Sequence, residues 1–246
     1  MSDPVTAIVL AGGQGTRLRS VVPDLPKPMA PIAGRPFLEY LLDYWITQGV
    51  SRIILSVGYR REAIMVHFGA QYRGVPVEYS IEEKPMGTGG GLLLATQHLN
   101  SNEKAFLLLN GDTYFAASLR ELIEFANARA AAWTLTLFPT DETDRYMDLQ
   151  TDSWGQVLNF RRNTSGKTPH ANGGVYWVCA KHLAQLGFTS SQECSLETDI
   201  LPKAMATGQK VFGLPSSGVF IDIGVPKDYQ RAHTLLPRTS QVKKPN

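Results

Sequence analysis

A doubly wound α/β fold, built on a mixed and mostly parallel sheet with helices on both faces, is predicted by three observations on this chain. Short apolar runs alternate with helical patterns through the first half in a βαβ rhythm. One run, Ile53, Ile54, Leu55 and Val57, is nearly continuous, as a parallel strand covered on both faces requires. Leu38, Leu41, Leu42 and Trp45 recur at helical steps and give one apolar face to a helix that must lie on a sheet. In order, these patterns predict strand 6–10, helix 37–47, strand 52–57, helix 61–68, strand 76–81, helix 89–99 and strand 105–110. From Ala130 onward the pattern turns to β-like pieces, Trp133 to Phe138, Met147 to Gln150, Gln156 to Phe160 and Val175 to Cys179, expected to extend the same sheet. A helix near 197–207 and a strand from Val219 to Ile223 follow. The polar, Gly/Pro-bearing stretch Asn163 to Pro169 reads as a mobile loop, and the polar, basic residues 238–246 as a flexible tail. Residues 1–237 are therefore expected to form one domain, with halves 1–130 and 131–237.

Composition narrows the partners. A net charge of +2 over 246 residues, with the basic residues scattered, argues against nucleic acid or a membrane surface and leaves small anions. Two cysteines, Cys179 and Cys194, make no disulfide framework, and no apolar run is long enough to span a bilayer. No early apolar stretch carries the basic flank of a signal peptide, so a reducing cytoplasm is the expected location. The histidines at 67, 98, 170, 182 and 233 show no metal-ligand spacing and read as surface or packing residues.

The segment Leu10-Ala-Gly-Gly-Gln-Gly-Thr-Arg-Leu18 follows directly on the first strand, and Pro26-Lys-Pro-Met29 comes soon after. Glycines at 12, 13 and 15 let backbone N–H groups close on an anion, while Arg17 offers a planar fork and Lys27 a point charge framed by prolines. A dinucleotide fingerprint fails, because its third glycine would fall on Leu18, and the Gly-Lys-Ser/Thr end of a Walker loop is absent. A strand-to-helix turn whose glycines serve chain reversal alone is the remaining alternative, weakened by the two attached cations. In the doubly wound fold this loop and the Asp112 turn both lie beyond the carboxyl ends of strands, where ligands bind. Asp112 and Asp222 are hard oxygen donors suited to Mg²⁺, although an aspartate at a strand end is often only a turn residue.

Residues 7–18 and 26–40 together resemble the signature of the sugar-1-phosphate nucleotidyltransferases. Further matches are Gly87-Thr-Gly-Gly90, Leu109-Asn-Gly-Asp112, Asn172-Gly-Gly174, Ser195-Leu-Glu-Thr-Asp-Ile-Leu-Pro202 and Phe220-Ile-Asp-Ile-Gly-Val-Pro226. Among the family's branches, the chain most resembles the D-glycero-α-D-manno-heptose 1-phosphate guanylyltransferases. The resemblance implies a Rossmann-like sheet of the nucleotide-diphospho-sugar transferase type, a nucleotide-binding first half and a sugar-binding second half. It implies a nucleoside triphosphate and a sugar 1-phosphate as partners, Mg²⁺ at Asp112 and Asp222, and Arg17 and Lys27 as the catalytic cations. Leu10, Ala11, Gly12, Gly13, Gly15, Thr16, Glu82, Gly87 and Thr88 fall on nucleotide positions. Asn172, Gly173 and Glu197 fall on sugar positions, the first two in an Asn-x-Gly turn, while Glu197 could equally serve the first turn of a helix capped by Ser195.

Glu82 stands where thymidylyl and uridylyl relatives carry glutamine. A carboxylate only accepts, and guanine offers two adjacent donors, so GTP is favoured; a solvated Glu82-Glu83-Lys84 cluster is the alternative. The chain departs from the family at Arg161-Arg162-Asn163, where a Glu-Lys pair is usual, and at Met147, where glycine follows Arg-Tyr. Arg162 or Lys167 is then the expected contact to the sugar phosphate, and the sugar's identity is left open. The alternatives are a mannose-1-phosphate guanylyltransferase, a UTP-, dTTP- or CTP-using glucose-1-phosphate enzyme, or a non-catalytic regulatory subunit. The last is disfavoured because Arg17, Lys27, Asp112 and Asp222 are all retained. The oligomeric state is left open, a homo-oligomer included.

Overall fold

In the computed structural model, which describes residues 4–18, 21–140, 146, 148–160 and 170–239, the first half follows the expected alternation. It runs β1 (Val5–Leu10), a small pair β2 (Pro31–Ile32) and β3 (Arg35–Pro36), α1 (Phe37–Thr47), β4 (Val50–Val57), α2 (Arg61–Phe68), β5 (Gln71–Tyr72), β6 (Val75–Ile81), α3 (Gly87–Ala95) and β7 (Ala105–Asn110). The second half runs β8 (Thr113–Phe115), α4 (Leu119–Arg129), β9 (Trp133–Pro139), β10 (Asp148–Thr151), β11 (Val157–Phe160), β12 (His170–Cys179), α5 (Ala180–Ala184), α6 (Leu201–Ala206), β13 (Val211–Pro215), β14 (Phe220–Asp222) and α7 (Pro226–Thr239).

Ten strands form one sheet, in the order β11-β10-β12-β7-β1-β4-β6-β5, with β9 on β12 and β13 on β9. The central strands β7, β1, β4 and β6 are parallel, and Leu10 is in register with both Ser56 and Asn110. Their carboxyl ends therefore share one rim, and the Gly12 loop, Glu82 and Asp112 emerge there together. The second half joins mainly through antiparallel pairing of β12 with β7, β9 and β10.

Two apolar layers cover the sheet. Leu38, Leu41, Leu42 and Trp45 of α1 are buried on one face with Leu55 and Val57, as their spacing requires, and Leu92, Trp133 and Tyr176 lie in the layer on the other. Full burial of each aliphatic side chain contributes about 1.5–3 kcal/mol. A third cluster gathers Leu18, Ala30, Ile32, Phe37, Tyr114, Ile221 and Ile223 under Tyr229, Ala232 and Leu236 of α7. Those members border Arg17, Lys27 and Asp222, so one small core fixes three segments of widely different sequence position.

The sequence reading missed α7, although Pro226 at its first position and Tyr229, Ala232 and Leu236 at helical spacing signal it. It also missed α4, whose cap Ser118 accepts a bond from the Glu121 N–H at 3.2 Å. Arg238 and Thr239, expected in the flexible tail, are helical: the anchored α7 carries its hydrogen-bonding two residues further. Helix 89–99 is shorter than expected, α3 giving way to a 3₁₀ turn at Thr96–His98. The helix near 197–207 starts with a π turn at Leu196–Ile200, and Pro202, which cannot donate a helix hydrogen bond, opens α6 behind it. Among the described residues, no helix is long and apolar enough to cross a membrane.

Candidate active site

A cavity of about 390 Å³ opens over the carboxyl ends of the parallel strands. Leu10, Ala11, Gly12, Gly13, Gly15, Thr16, Arg17, Lys27, Glu82, Gly87, Thr88 and Asp112 line it. All of the residues expected to hold nucleotide are thus on one wall or another, together with Arg17, Lys27 and the first carboxylate. The loop is pinned to the sheet by the Ala11 N–H donating to the Ser56 carbonyl at 2.8 Å and the Gly111 N–H donating to the Leu10 carbonyl at 2.9 Å. Gly15 has φ of +56°, and a β-carbon there would lie 2.9 Å from Cβ of Lys27, so the loop closes directly against the lysine.

A two-stranded ladder brings the two aspartates together. β14 pairs antiparallel with β8, setting Asp222 opposite Thr113, and the Ile223 N–H donates to the Asp112 carbonyl at 3.1 Å. Lys27 stands between the two carboxylates, with Nζ 2.6 Å from Oδ2 of Asp112 and 3.5 Å from Oδ1 of Asp222. The lysine side chain is 9 % exposed, so it is already desolvated and held. Burial opposes ionisation of Asp112, but the Lys27 charge and hydrogen bond, with the Thr113 hydroxyl, outweigh it and hold the carboxyl below the usual aspartate range. Arg17 differs: it is exposed, in a 3₁₀ turn anchored by buried Leu18, and pairs with no carboxylate among the described residues.

On the opposite wall, Glu82 follows β6 and its carboxylate is held by the Ser56 hydroxyl and the Met86 N–H. It is a placed group, and the reading of residues 82–84 as a solvated cluster does not describe it. α3 begins at Gly87, and two of its first-turn donors are already used: the N–H groups of Gly89 and Gly90 both reach the Cys194 carbonyl. Thr88 is a latch, its hydroxyl donating to Glu197 at 2.8 Å and accepting from the Leu196 N–H at 2.9 Å.

The residues expected on the sugar side are more scattered. Asn172, Gly173, Glu197 and Asp222 do not line the cavity, although Thr88 joins Glu197 to its edge and Lys27 joins Asp222. Glu197 occupies the first turn of the Ser195-capped π segment, which is the capping alternative raised by the sequence. Asn172 and Gly173 form a turn closed by the Asn172 side chain, set within a strand. They lie inside β12, at a register shift against β9, because Gly174 takes φ of +70° and its N–H is bonded by Oδ1 of Asn172. Nδ2 of Asn172 donates to the buried Tyr176 hydroxyl at 2.6 Å. Gly173 is a packing glycine: a β-carbon would lie 2.3 Å from the Phe115 ring. Gly173→Ala is expected to cost about 1–3 kcal/mol by overpacking, read as a lower denaturation midpoint, and an unchanged midpoint would contradict the packing role. Arg161, Arg162, Asn163, Lys167 and Met147 lie outside the described residues, as does the expected loop at 163–169.

Several lining residues were not singled out from sequence: Gln14, Pro28, Pro85, Met86, Asn110 and Gly224. Asn110 was noted only within the Leu109-Asn-Gly-Asp112 match, yet its Oδ1 is buried without a hydrogen-bond partner among the described residues. Its polar side chain closing an apolar strand was the available signal.

A family model described as Nucleotidyl transferase matches residues 6–239. The chain belongs to the nucleotidyl transferase family. Within this family it is 41 % identical to a D-glycero-α-D-manno-heptose 1-phosphate guanylyltransferase of Aneurinibacillus thermoaerophilus, over 94 % of this chain and 97 % of that one. A protein of the same description from Campylobacter jejuni is 35 % identical over 91 % of this chain and 96 % of its own. The crystal structure of HddC from Yersinia pseudotuberculosis superposes with a TM-score of 0.81 at 32 % identity, covering 94 % of this nucleotidyl transferase chain and 98 % of HddC. HddC complexed with GMP-PN superposes with a TM-score of 0.78 over the same shares of each chain.

Proposed function

We propose that this nucleotidyl transferase moves GMP from GTP to a sugar 1-phosphate, D-glycero-α-D-manno-heptose 1-phosphate being the favoured acceptor, and releases GDP-heptose and pyrophosphate. The observation that carries this reading is Lys27, held within 3.5 Å of both Asp112 and Asp222 beside the glycine loop and Arg17. The names of the similar proteins from A. thermoaerophilus and C. jejuni, and the GMP-PN complex of HddC, support the choice of base and sugar.

In the reaction an oxygen of the sugar phosphate bonds to the α-phosphorus while the bond to the β-phosphate oxygen breaks and pyrophosphate leaves with the electron pair. The attacking phosphate carries a charge of about −1.5 to −2 at neutral pH, so a strong general base is not needed. Repulsion between two anions is the barrier, and positioned cations lower it. Arg17 clamps phosphate oxygens with its fork, Lys27 adds a fixed charge below them, and the loop N–H groups orient the chain of phosphates.

The donor chemistry fits Mg²⁺. Two carboxylates already converge on one cationic nitrogen, and among the described residues no third His, Cys, Asp or Glu joins them. That set leaves positions for phosphate oxygens and water, the ligands Mg²⁺ retains. When bound at Asp112 and Asp222, the metal would neutralise phosphate charge. A cytoplasmic location fits substrates of this kind.

The test is pyrophosphate release with Mg²⁺ across ATP, GTP, CTP, UTP and dTTP, each against heptose, mannose, glucose and N-acetylglucosamine 1-phosphates. Turnover confined to GTP with the heptose phosphate, and abolished by a chelator, is expected. Equal use of mannose 1-phosphate would remove the sugar assignment, and preference for UTP or dTTP would remove the base assignment.

A further inference from the structure

We propose that Ser56, which the ligand cannot reach, is a positioning residue that sets nucleobase selectivity by locking the carboxylate of Glu82. The inference deepens the guanine reading above and rests on it.

Ser56 is 0 % exposed, a hydroxyl within the apolar run of β4. A hydroxyl costs free energy there unless it is bonded, and its short bond is to a charged group: Oγ donates to Oε1 of Glu82 at 2.9 Å, while the Gly91 carbonyl is 3.5 Å away. The second carboxylate oxygen, Oε2, accepts from the Met86 N–H at 3.2 Å. Each oxygen is thus held from the protein side and keeps lone-pair capacity for a ligand.

Glycines complete the lock. A β-carbon at Gly12 would lie 2.4 Å from Oε1 of Glu82, and one at Gly91 would lie 2.8 Å from Oε1 and 3.0 Å from Oγ of Ser56. The phosphate loop and α3 therefore wall in the same oxygen that Ser56 grips. Glu82 cannot swing toward either wall, and its plane is fixed before a base arrives. Such a preformed fork of acceptors matches two adjacent N–H donors without an ordering cost on binding. Without the Ser56 donor, Oε1 would have to turn toward water or remain unpaired against Gly12 and Gly91.

The effect of losing this bond is a loss of selectivity, with the chemical step preserved. In Ser56→Ala the backbone carbonyl that holds Ala11 is retained, so the phosphate loop should stay in place. The KM for GTP is expected to rise about 10-fold, equivalent to about 1.4 kcal/mol, with kcat within about 2-fold of the parent and the preference for GTP over UTP falling by a similar factor. Ser56→Cys, which keeps a weak donor of similar size, should lie between the parent and Ser56→Ala and guards against a folding defect in either variant. Glu82→Gln should lose the preference further, and Ser56→Ala added to Glu82→Gln should change it no more.

A GTP preference unchanged in Ser56→Ala but lost in Glu82→Gln would overturn the role of Ser56 while leaving the guanine reading intact. An unchanged preference in Glu82→Gln would overturn that reading itself. Equal losses of kcat for every nucleotide in Ser56→Ala, with no change of preference, would assign Ser56 to the fold alone.

Discussion

Replacing Lys27 by methionine should lower kcat by about 10²–10³-fold, the cost of losing one preorganised charge stabiliser, and should also destabilise the free protein. The second effect follows from the pairing. Breaking a fully buried ion pair costs about 3–5 kcal/mol; with the Asp112 side chain 38 % exposed to water, screening reduces the expectation to about 1–3 kcal/mol. Its pH dependence has a definite sign. Asp112 titrates below its ordinary value in the folded protein, so the pair contributes fully above about pH 4 and is lost as pH falls from there through the depressed folded value. In Lys27→Met, Asp112 loses the cation that holds its carboxyl low, which raises its affinity for a proton. The gap in melting temperature between parent and variant should therefore be widest near neutrality and close as pH falls through the carboxylate range. Melting curves across that range, with turnover at pH 7, check both parts. A gap that does not vary with pH would mean that Lys27 does not hold the carboxylates.

Arg17→Ala should behave in the opposite manner. The guanidinium is exposed, on a turn anchored by Leu18, and has no carboxylate partner among the described residues, so its removal should leave stability within about 0.5 kcal/mol of the parent. Turnover should nonetheless fall about 10²-fold or more, because a bidentate donor to a charged phosphate is lost. Arg17→Lys should recover only part of this, since an ammonium keeps the charge but not the fork. Steady-state kinetics and a melting curve on the same preparation separate the cases. Near-normal turnover in Arg17→Ala would remove it from the catalytic groups, and a large loss of stability would make it a structural residue.

How much was legible depended on range. The first half could be read element by element, because parallel strands and covering helices impose local periodicities of two kinds that survive in Ile53 to Val57 and in Leu38 to Trp45. The nucleotide wall was legible too, since the glycine loop, Arg17 and Lys27 are close in sequence and their chemistry is local. Glu82 was identified as a group that could meet a base, but not as a locked one, because Ser56 of β4, Gly12 of the loop and Met86 and Gly91 of the capped α3 meet it from three separate segments. The setting of the Asn172 turn was hidden for a related reason: the residue types are local, but the break in pairing with β9 between Asn172 and Tyr176 that places the turn inside β12 is not.

The sequence by itself determined the fold class, the phosphate loop and the residue types that the proposed chemistry requires, because these follow from short-range patterning and from what each side chain can donate or accept. Only the tertiary structure decided that Asp112 and Asp222 share one lysine. That meeting depends on β14 pairing with β8 and on α7 sealing the apolar cluster around Leu18, Ile221 and Ile223. Contacts over such sequence separations are selected by the joint burial of distant apolar residues, and no local window of the chain carries that information.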